Sequence, residues 1–591
     1  VKFDKETAIA VIICIIFVVG WLPFCRMMGW VSEKPARPVT PIADTVQVPA
    51  KTVENIKSDS KHPAALPQES ASAEILTDIA LQELRNDFFV VSIDPVKGEI
   101  ADVLFEKHYK HNHKDKIMLK GSLPERSGIM SISSAQPWKV KAIVENRLDG
   151  LSGYLLVRRI AIADQEILLK QEWKISGNYS LDYKVEFLNP GTEPVNIEML
   201  KVGSGTLMPF SLQSGDMVRG ETLTLELMTE DETVKSIAVN ASETKFNYKP
   251  ELPVKWSALV NRYFMTILLA ESVPFTSIEQ YREKRIPTTP EEKKLIGENF
   301  MSKIFGGSNH YYEADTAGVY KQITIPSGQS KILKFKSYLG PKISTEVNAF
   351  DPSVSYTMRL MSWRPMNALA KLMLWSLMEL KSFCGSFGWA IIMLTIIVRL
   401  LVWPFTHKAN VSMKKMQSFQ PEIKEIRNKY KDNPQLMNTK MMELYKREKI
   451  NPMRGCLPLL LQLPIFMALY FSLDAVVELR HVPFWWAKDL SQPDTIFEIF
   501  GFAVNPLVLM MTGLMILQQK LMPQSGDPMQ AKMMMFMPVI MLLILYNLPS
   551  GLTLYWTVSQ IFSILQMLLT QKLTQNTKTD NNGKLTNAQR K

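Results

Sequence analysis

Residues 533–571 read MMMFMPVIMLLILYNLPSGLTLYWTVSQIFSILQMLLTQ, thirty-nine positions without a charge. As one helix this stretch would run about 58 Å, nearly twice the roughly 30 Å hydrocarbon core of a bilayer. Its middle, Asn547-Leu548-Pro549-Ser550-Gly551, carries turn chemistry. The stretch therefore divides into two membrane helices joined by a tight turn.

Further apolar runs lie upstream. Residues 455–473 and 499–519 are uncharged, and between Lys381 and Lys408 the only charge is Arg399. Residues 8–25 are also uncharged and rich in Ile, Val and Phe. A cleaved signal peptide competes with a signal anchor there; Trp21-Leu22-Pro23-Phe24 offers no small-x-small cleavage site, which favours the anchor. The count is six spans, in a polytopic α-helical membrane protein.

Loop charge sets the orientation. Residues 408–454 hold twelve Lys/Arg and five Asp/Glu, whereas 474–498 hold two Lys/Arg and the aromatics Phe484, Trp485 and Trp486. By the positive-inside rule the first segment is cytoplasmic and the second lies outside. Both termini then face the cytoplasm. The formal net charge of +11 is largely explained by this topology, and no nucleic-acid-reading motif accompanies it.

Between anchor and core the composition changes twice. Residues 31–83, rich in Pro, Ser, Ala, Lys and Glu, read as a flexible periplasmic linker after the anchor at 1–30. Residues 84–350 alternate short β-branched and aromatic segments with turn signals such as Ser176-Gly177-Asn178 and Asn189-Pro190-Gly191. This predicts a large two-sheet periplasmic β-sandwich. None of the four cysteines falls between 26 and 383, so no disulfide framework supports it. Residues 356–382 predict an amphipathic helix, with Trp363, Met366, Leu369, Leu372 and Met373 as its stripe.

Arg399 is the most informative residue of the core. A charge near a helix centre costs roughly 2.5–3.5 kcal/mol on insertion scales, and arginine cannot shed its proton. A water-filled cavity and a snorkelling arginine are the two readings. The last helix supports a cavity, because Thr553, Thr557, Gln560, Ser559, Ser563, Gln566 and Thr570 cover about half its circumference. Interhelical hydrogen bonding would also account for that arc. Thr395 and Gln462 add to the polar lining.

Residues 408–453 read as a helical hairpin. Met413, Met416 and Phe419 lie on one arm, Lys431-Asp432-Asn433-Pro434 breaks it, and Met441 and Met442 resume on the other. Methionine suits a surface that accepts varied apolar partners, and a self-buried seam is the other reading.

Asn451-Pro452-Met453-Arg454-Gly455-Cys456-Leu457-Pro458, Asp527-Pro528-Met529-Gln530 and Pro549-Ser550-Gly551-Leu552-Thr553-Leu554-Tyr555-Trp556 together resemble the YidC/Oxa/Alb family. The resemblance covers about 385–572. It implies a membrane protein insertase and chaperone of the cell inner membrane, with a five-helix core over 383–572 and a basic tail over 573–591. It implies a hydrophilic groove containing Arg399, Thr395 and Gln462, with Thr557 and Gln560 beside them. It places client contacts at Leu463, Phe466, Phe536, Met537, Tyr555 and Trp556. The outer domain would be a mutarotase-like β-supersandwich with no catalytic role. The implied partners are nascent membrane proteins, the Sec translocon, the translating ribosome and membrane lipids, with no cofactor and no metal.

Two rival readings remain at this point. A transporter or channel would need a pathway open alternately to both sides, usually from repeated halves, and no repeat is evident. A membrane-anchored carbohydrate enzyme would draw on His108, His111 and His113.

Overall fold

The structure, a computed structural model, describes residues 79–588 except 111–113, 121–127, 163–164, 209–222, 240–244, 287, 289–310, 362, 449–456, 500–501 and 522–527. The predicted anchor at 1–30, most of the linker, His111, His113 and the Asn451–Cys456 motif lie outside the described residues. Two units divide the chain at residue 357/358.

Alternation of apolar and polar residues builds the first unit. In chain order its strands are β1 (Gln82–Arg85), β2 (Phe89–Asp94), β3 (Glu99–Tyr109), β4 (Lys116–Lys120), β5 (Ile132–Ser133), β6 (Lys139–Asp149), β7 (Gly153–Ile162), β8 (Gln165–Ile175) and β9 (Ser180–Leu188). They continue as β10 (Val195–Leu207), β11 (Thr224–Thr229), β12 (Val234–Ala238), β13 (Lys245–Tyr248), β14 (Val254–Val260), β15 (Phe264–Ala270), β16 (Ser277–Arg285), β17 (Tyr311–Ile325) and β18 (Ser330–Pro341). In β9, Leu181, Tyr183, Val185 and Phe187 are buried while Lys184 and Glu186 between them turn outward.

Two sheets were expected, and the described residues of this unit form three. A nine-stranded sheet has the order β12-β11-β14-β15-β18-β9-β8-β7-β6, and a five-stranded sheet the order β13-β16-β17-β10-β5. Strands β1 to β4 make a separate antiparallel sheet from sequence neighbours, because their short turns close locally. Arg158 of β7, almost wholly buried, ties this sheet to the largest one. It donates to the carbonyls of Val96 (3.0 Å) and Lys97 (2.9 Å), while Gln171 donates to that of Gly98 (2.9 Å). Gly98 has φ of 68°, and a Cβ there would lie 2.1 Å from the Arg158 guanidinium, so the turn requires glycine.

Directly opposed positions on adjacent strands stack a column of rings. Tyr154 faces Trp173, Trp173 faces Tyr183, and Tyr183 faces Phe335. Their centroids are 5.7, 5.1 and 6.0 Å apart. Burial pushes the phenols of Tyr154 and Tyr183 well above the usual tyrosine range. Helix α1 (Ser344–Phe350) and a 3-10 turn (Pro352–Met358) close the unit, with Trp256 donating to Ser353 Oγ at 3.1 Å.

The amphipathic helix predicted from 356 therefore starts later. Residues 352–358 belong largely to the β unit, and α2 runs Arg364–Cys384, with Pro365 in the first turn where its missing N–H costs nothing. Gly385, in the left-handed region, ends it. The second unit continues with α3 (Phe387–Ser418), α4 (Gln420–Lys429), α5 (Pro434–Arg447), α6 (Leu457–Ala475), a hairpin of β19 (Phe497–Ile499) and β20 (Phe502–Val504), α7 (Pro506–Leu521), α8 (Pro528–Leu545) and α9 (Ser550–Ala588).

The hairpin predicted over 408–453 is α4 and α5, but its first arm begins inside α3. That helix does not stop at Lys408, since Lys408–Ser418 holds no helix breaker. Asn433 caps α5 by accepting from Leu436 N at 3.0 Å. Ile423 and Leu444 are buried, Met416, Phe419 and Met441 half-buried, and Met442 exposed. Arg447 bridges to Glu422 at 2.8 Å.

Among the described residues two helical stretches, 387–412 and 550–570, are long and apolar enough to cross a membrane; 461–475, 506–521 and 535–545 are apolar but shorter. Leu400, Leu401, Phe536, Val539, Leu543, Leu565 and Leu569 all stand exposed on these helices. An exposed apolar surface of this extent fits hydrocarbon as its solvent.

Candidate functional site

A 3.6-residue repeat puts Arg399 and Thr406, two turns apart, on one face of α3. It puts Tyr555, Ser559, Gln566 and Thr570 along one side of α9. The two faces meet. Arg399 Nε donates to Ser559 Oγ at 2.7 Å, and Arg399 Nη2 donates to the same oxygen. Nearer the end that carries the α4–α5 hairpin, Gln566 Nε2 donates to Thr406 Oγ1 at 2.7 Å and His407 Nδ1 lies 3.2 Å from Thr570 Oγ1. The hydrogen-bonding reading of the α9 arc thus describes the α3–α9 seam.

Helix α6 joins through Gln462. Gln462 Nε2 donates to the Tyr555 hydroxyl at 2.6 Å, one helical turn before Ser559 on α9. The pairs Gln462–Tyr555 and Arg399–Ser559, one turn apart on α9, therefore link three helices. Beside them Phe466 meets Trp556 edge to face at 4.6 Å. Among the described residues, no carboxylate lies within ion-pair distance of Arg399; its guanidinium rests on a neutral hydroxyl.

Towards the opposite end the bundle is apolar. Ile391, Leu394, Leu469, Leu473, Leu552 and Leu554 form one buried cluster with Tyr555. Polar side chains thus pair across the α3–α9 seam from Arg399 towards the hairpin end, while on the other side this apolar cluster stands with Thr395 and Thr557 bonded to their own helices.

The predicted residues divide. Arg399, Gln462, Tyr555, Phe466 and Trp556 come together. Thr395 is fully buried and donates to the Ile391 carbonyl at 2.6 Å on its own helix. Thr557 does the same to Thr553 at 2.8 Å. Gln560 and Leu463 are half-buried. Phe536 is exposed and Met537 half-buried on α8. The side chain of Met413 lies outside the described residues. Ser559 was legible only as a member of the arc, and its pairing with Arg399, 160 residues away, left no sequence signal. His108 packs with Phe105 and Phe264 and lies 3.1 Å from the Tyr179 hydroxyl. Among the described residues no His/Cys/Asp/Glu group could hold a metal ion.

Residues 82–375 match the family described as the YidC periplasmic domain, and residues 379–578 that described as 60Kd inner membrane protein. A membrane protein insertase YidC from Geotalea daltonii is 31% identical over 412 residues, covering 69% of each chain. This chain belongs to the YidC family of membrane protein insertases. The insertase from a Janthinobacterium species is 28% identical over 590 residues, covering 95% of this chain and 97% of its own. That from Pelobacter propionicus is 37% identical over 324 residues, or 54% of each chain. An active YidC insertase crystal structure superposes at TM-score 0.32 with 18% identity, over 83% of this chain and 94% of that one. A galactose mutarotase related enzyme from Lactobacillus acidophilus gives 0.30 with 8% identity, over 44% and 100%.

The insertase is thus an inner-membrane protein with a β-rich periplasmic domain, and the family is not a class of catalytic enzymes. The transporter and carbohydrate-enzyme readings give way to it.

Proposed function

We propose that the insertase receives the polar flank of a nascent client in a hydrated groove ending at Arg399, and passes the client's apolar helix sideways into lipid. The observation that carries this is the guanidinium of Arg399 resting on Ser559, with no acid among the described residues within ion-pair distance. An arginine inside an apolar helix needs water or a polar partner. A serine hydroxyl is a modest one, and a client carboxylate, able to accept both arms of the fork, is a stronger one.

The flank then crosses less hydrocarbon. The client's apolar segment supplies the driving force as it enters lipid, and the membrane potential adds about 2.3 kcal/mol per acidic charge per 100 mV for movement outward. Helices α6 and α9 meet beside Arg399 at Gln462–Tyr555 and Phe466–Trp556, and their seam is the exit. Thr395, Thr557, Gln560, Leu463, Phe536 and Met537 belong to this groove and slide as it opens. The α4–α5 hairpin, with exposed Met442, meets the client first.

Orientation follows from connectivity. The matched periplasmic domain ends at residue 375 and α3 begins at Phe387, so the Phe387 end of the bundle faces the periplasm and the hairpin end the cytoplasm. With residues 8–25 as a first span and α3, α6, α7, α8 and α9 as the rest, six spans leave both termini cytoplasmic. The outer domain is a mutarotase-like scaffold without catalysis, and the Sec translocon, the ribosome and lipids are the partners of this work.

A photocrosslinking amino acid at Gln462 or Trp556 is expected to capture a stalled nascent membrane protein at least about tenfold more strongly than one at Leu401, which is exposed on the lipid side. Equal capture at Leu401 contradicts the groove.

A further inference from the structure

We infer that residues Val476–Ile499 and Phe502–Asn505 form a clasp that holds the periplasmic ends of four membrane helices together and keeps the bundle closed to ions, with Asp494 as its positioning residue. Helix N-termini leave N–H groups without partners, and in this segment the partners are built in. Asp494, 3% exposed, accepts with one oxygen from Leu507 N in the first turn of α7 (2.7 Å) and from Trp486 Nε1 (2.9 Å). The first turn of α9 is met by loop carbonyls, Ser550 N donating to Gln492 (2.7 Å) and Gly551 N to Leu490 (2.9 Å). Ser550 Oγ donates to the Asp489 carbonyl at 2.9 Å, and the Asp489 carboxylate accepts from Ser491 N and Oγ, both at 2.8 Å.

The other two helices are held as closely. Asn505 Nδ2 donates to the Tyr546 carbonyl just beyond α8 at 2.8 Å, and the Tyr546 hydroxyl donates back to the Ala503 carbonyl. Phe484 lies so near α3 that a Cβ on Gly388 would be 2.1 Å from its ring. Leu479, Ala487 and Leu490 bury their side chains beneath these bonds.

One physical requirement gives this arrangement its meaning. A client leaving between α6 and α9 must part those helices. The apolar layer of Ile391, Leu394, Leu473 and Leu552 stays dry only while the helix ends above it stay together. A clasp across α3, α7, α8 and α9 confines opening to the cytoplasmic half. This inference rests on the helices crossing the membrane, not on the role given to Arg399.

The test uses the full chain in potassium-loaded proteoliposomes, measuring potassium efflux and client insertion together. Losing a helix cap shifts an opening equilibrium by about tenfold. Asp494→Ala is expected to raise efflux by about that factor while insertion stays within about twofold of wild type. Asp494→Asn, which keeps an acceptor oxygen, is expected to remain tight, as is Arg399→Ala. Should Asp494→Ala fail to incorporate, Asn505→Ala, which frees the α8 end, takes its place with the same expectation. Wild-type efflux from the incorporated variant, or equal leakage from Asp494→Asn, overturns the inference.

Discussion

Arg399→Ala slows insertion of clients with an acidic translocated flank by about tenfold to a hundredfold, the equivalent of losing a hydrogen bond to a charged group worth about 1.5–3 kcal/mol. Clients with an uncharged flank lose far less, because the apolar helix still drives their transfer. Arg399→Lys is intermediate: the charge remains, but the planar fork that grips two carboxylate oxygens is gone. Ser559→Ala changes little, since it removes only the resting partner of the guanidinium. The measurement is the rate of protease protection of acidic-flank and neutral-flank clients in proteoliposomes under a fixed potential. Equal rates for wild type and Arg399→Ala on the acidic client would remove Arg399 from the mechanism.

Trp173→Ala in the periplasmic domain costs about 3–5 kcal/mol of stability, the range for deleting a fully buried large aromatic. The ring is wholly buried between Tyr154 and Tyr183, each directly opposite on a neighbouring strand. Its loss leaves a cavity in the middle of the column and exposes two faces that stack at 5.7 and 5.1 Å. Trp173→Phe keeps a ring there and costs about 1–2 kcal/mol. Hydrogen exchange of β8 and β9 amides in the full chain reads the effect. Protection unchanged by Trp173→Ala would show that the column contributes nothing to the sheet.

The apolar runs, the turn at Asn547–Gly551 and the lone Arg399 were legible because hydrocarbon tolerates few charges and a turn needs special residues. The β domain was legible from alternation in segments such as Leu181–Leu188. Its partition into three sheets was not, because pairing depends on which edges meet and not on local pattern. Thr395 and Thr557 show why composition overstates a polar face: a threonine can satisfy its hydroxyl on its own helix and be buried. Ser559 stood in the arc and Tyr555 in the family motif, but what they bind lies 160 and 93 residues away, and only packing brings those partners in. The clasp was hidden for the same reason, since Asp494 caps a helix that begins twelve residues later, across a hairpin.

The most direct test of one-sided hydration is labelling by a membrane-impermeant maleimide of three single-cysteine variants in sealed vesicles, with reagent added from one side at a time. Ser563, half-buried on α9 one turn beyond Ser559, reports the polar half, and Gln462 the α6 wall. Leu554 reports the apolar layer. Ser563→Cys and Gln462→Cys are expected to react from the cytoplasmic side only, and Leu554→Cys from neither. Reaction of Ser563→Cys from the periplasmic side, or from neither side, would contradict a groove that is wet on one face and closed on the other.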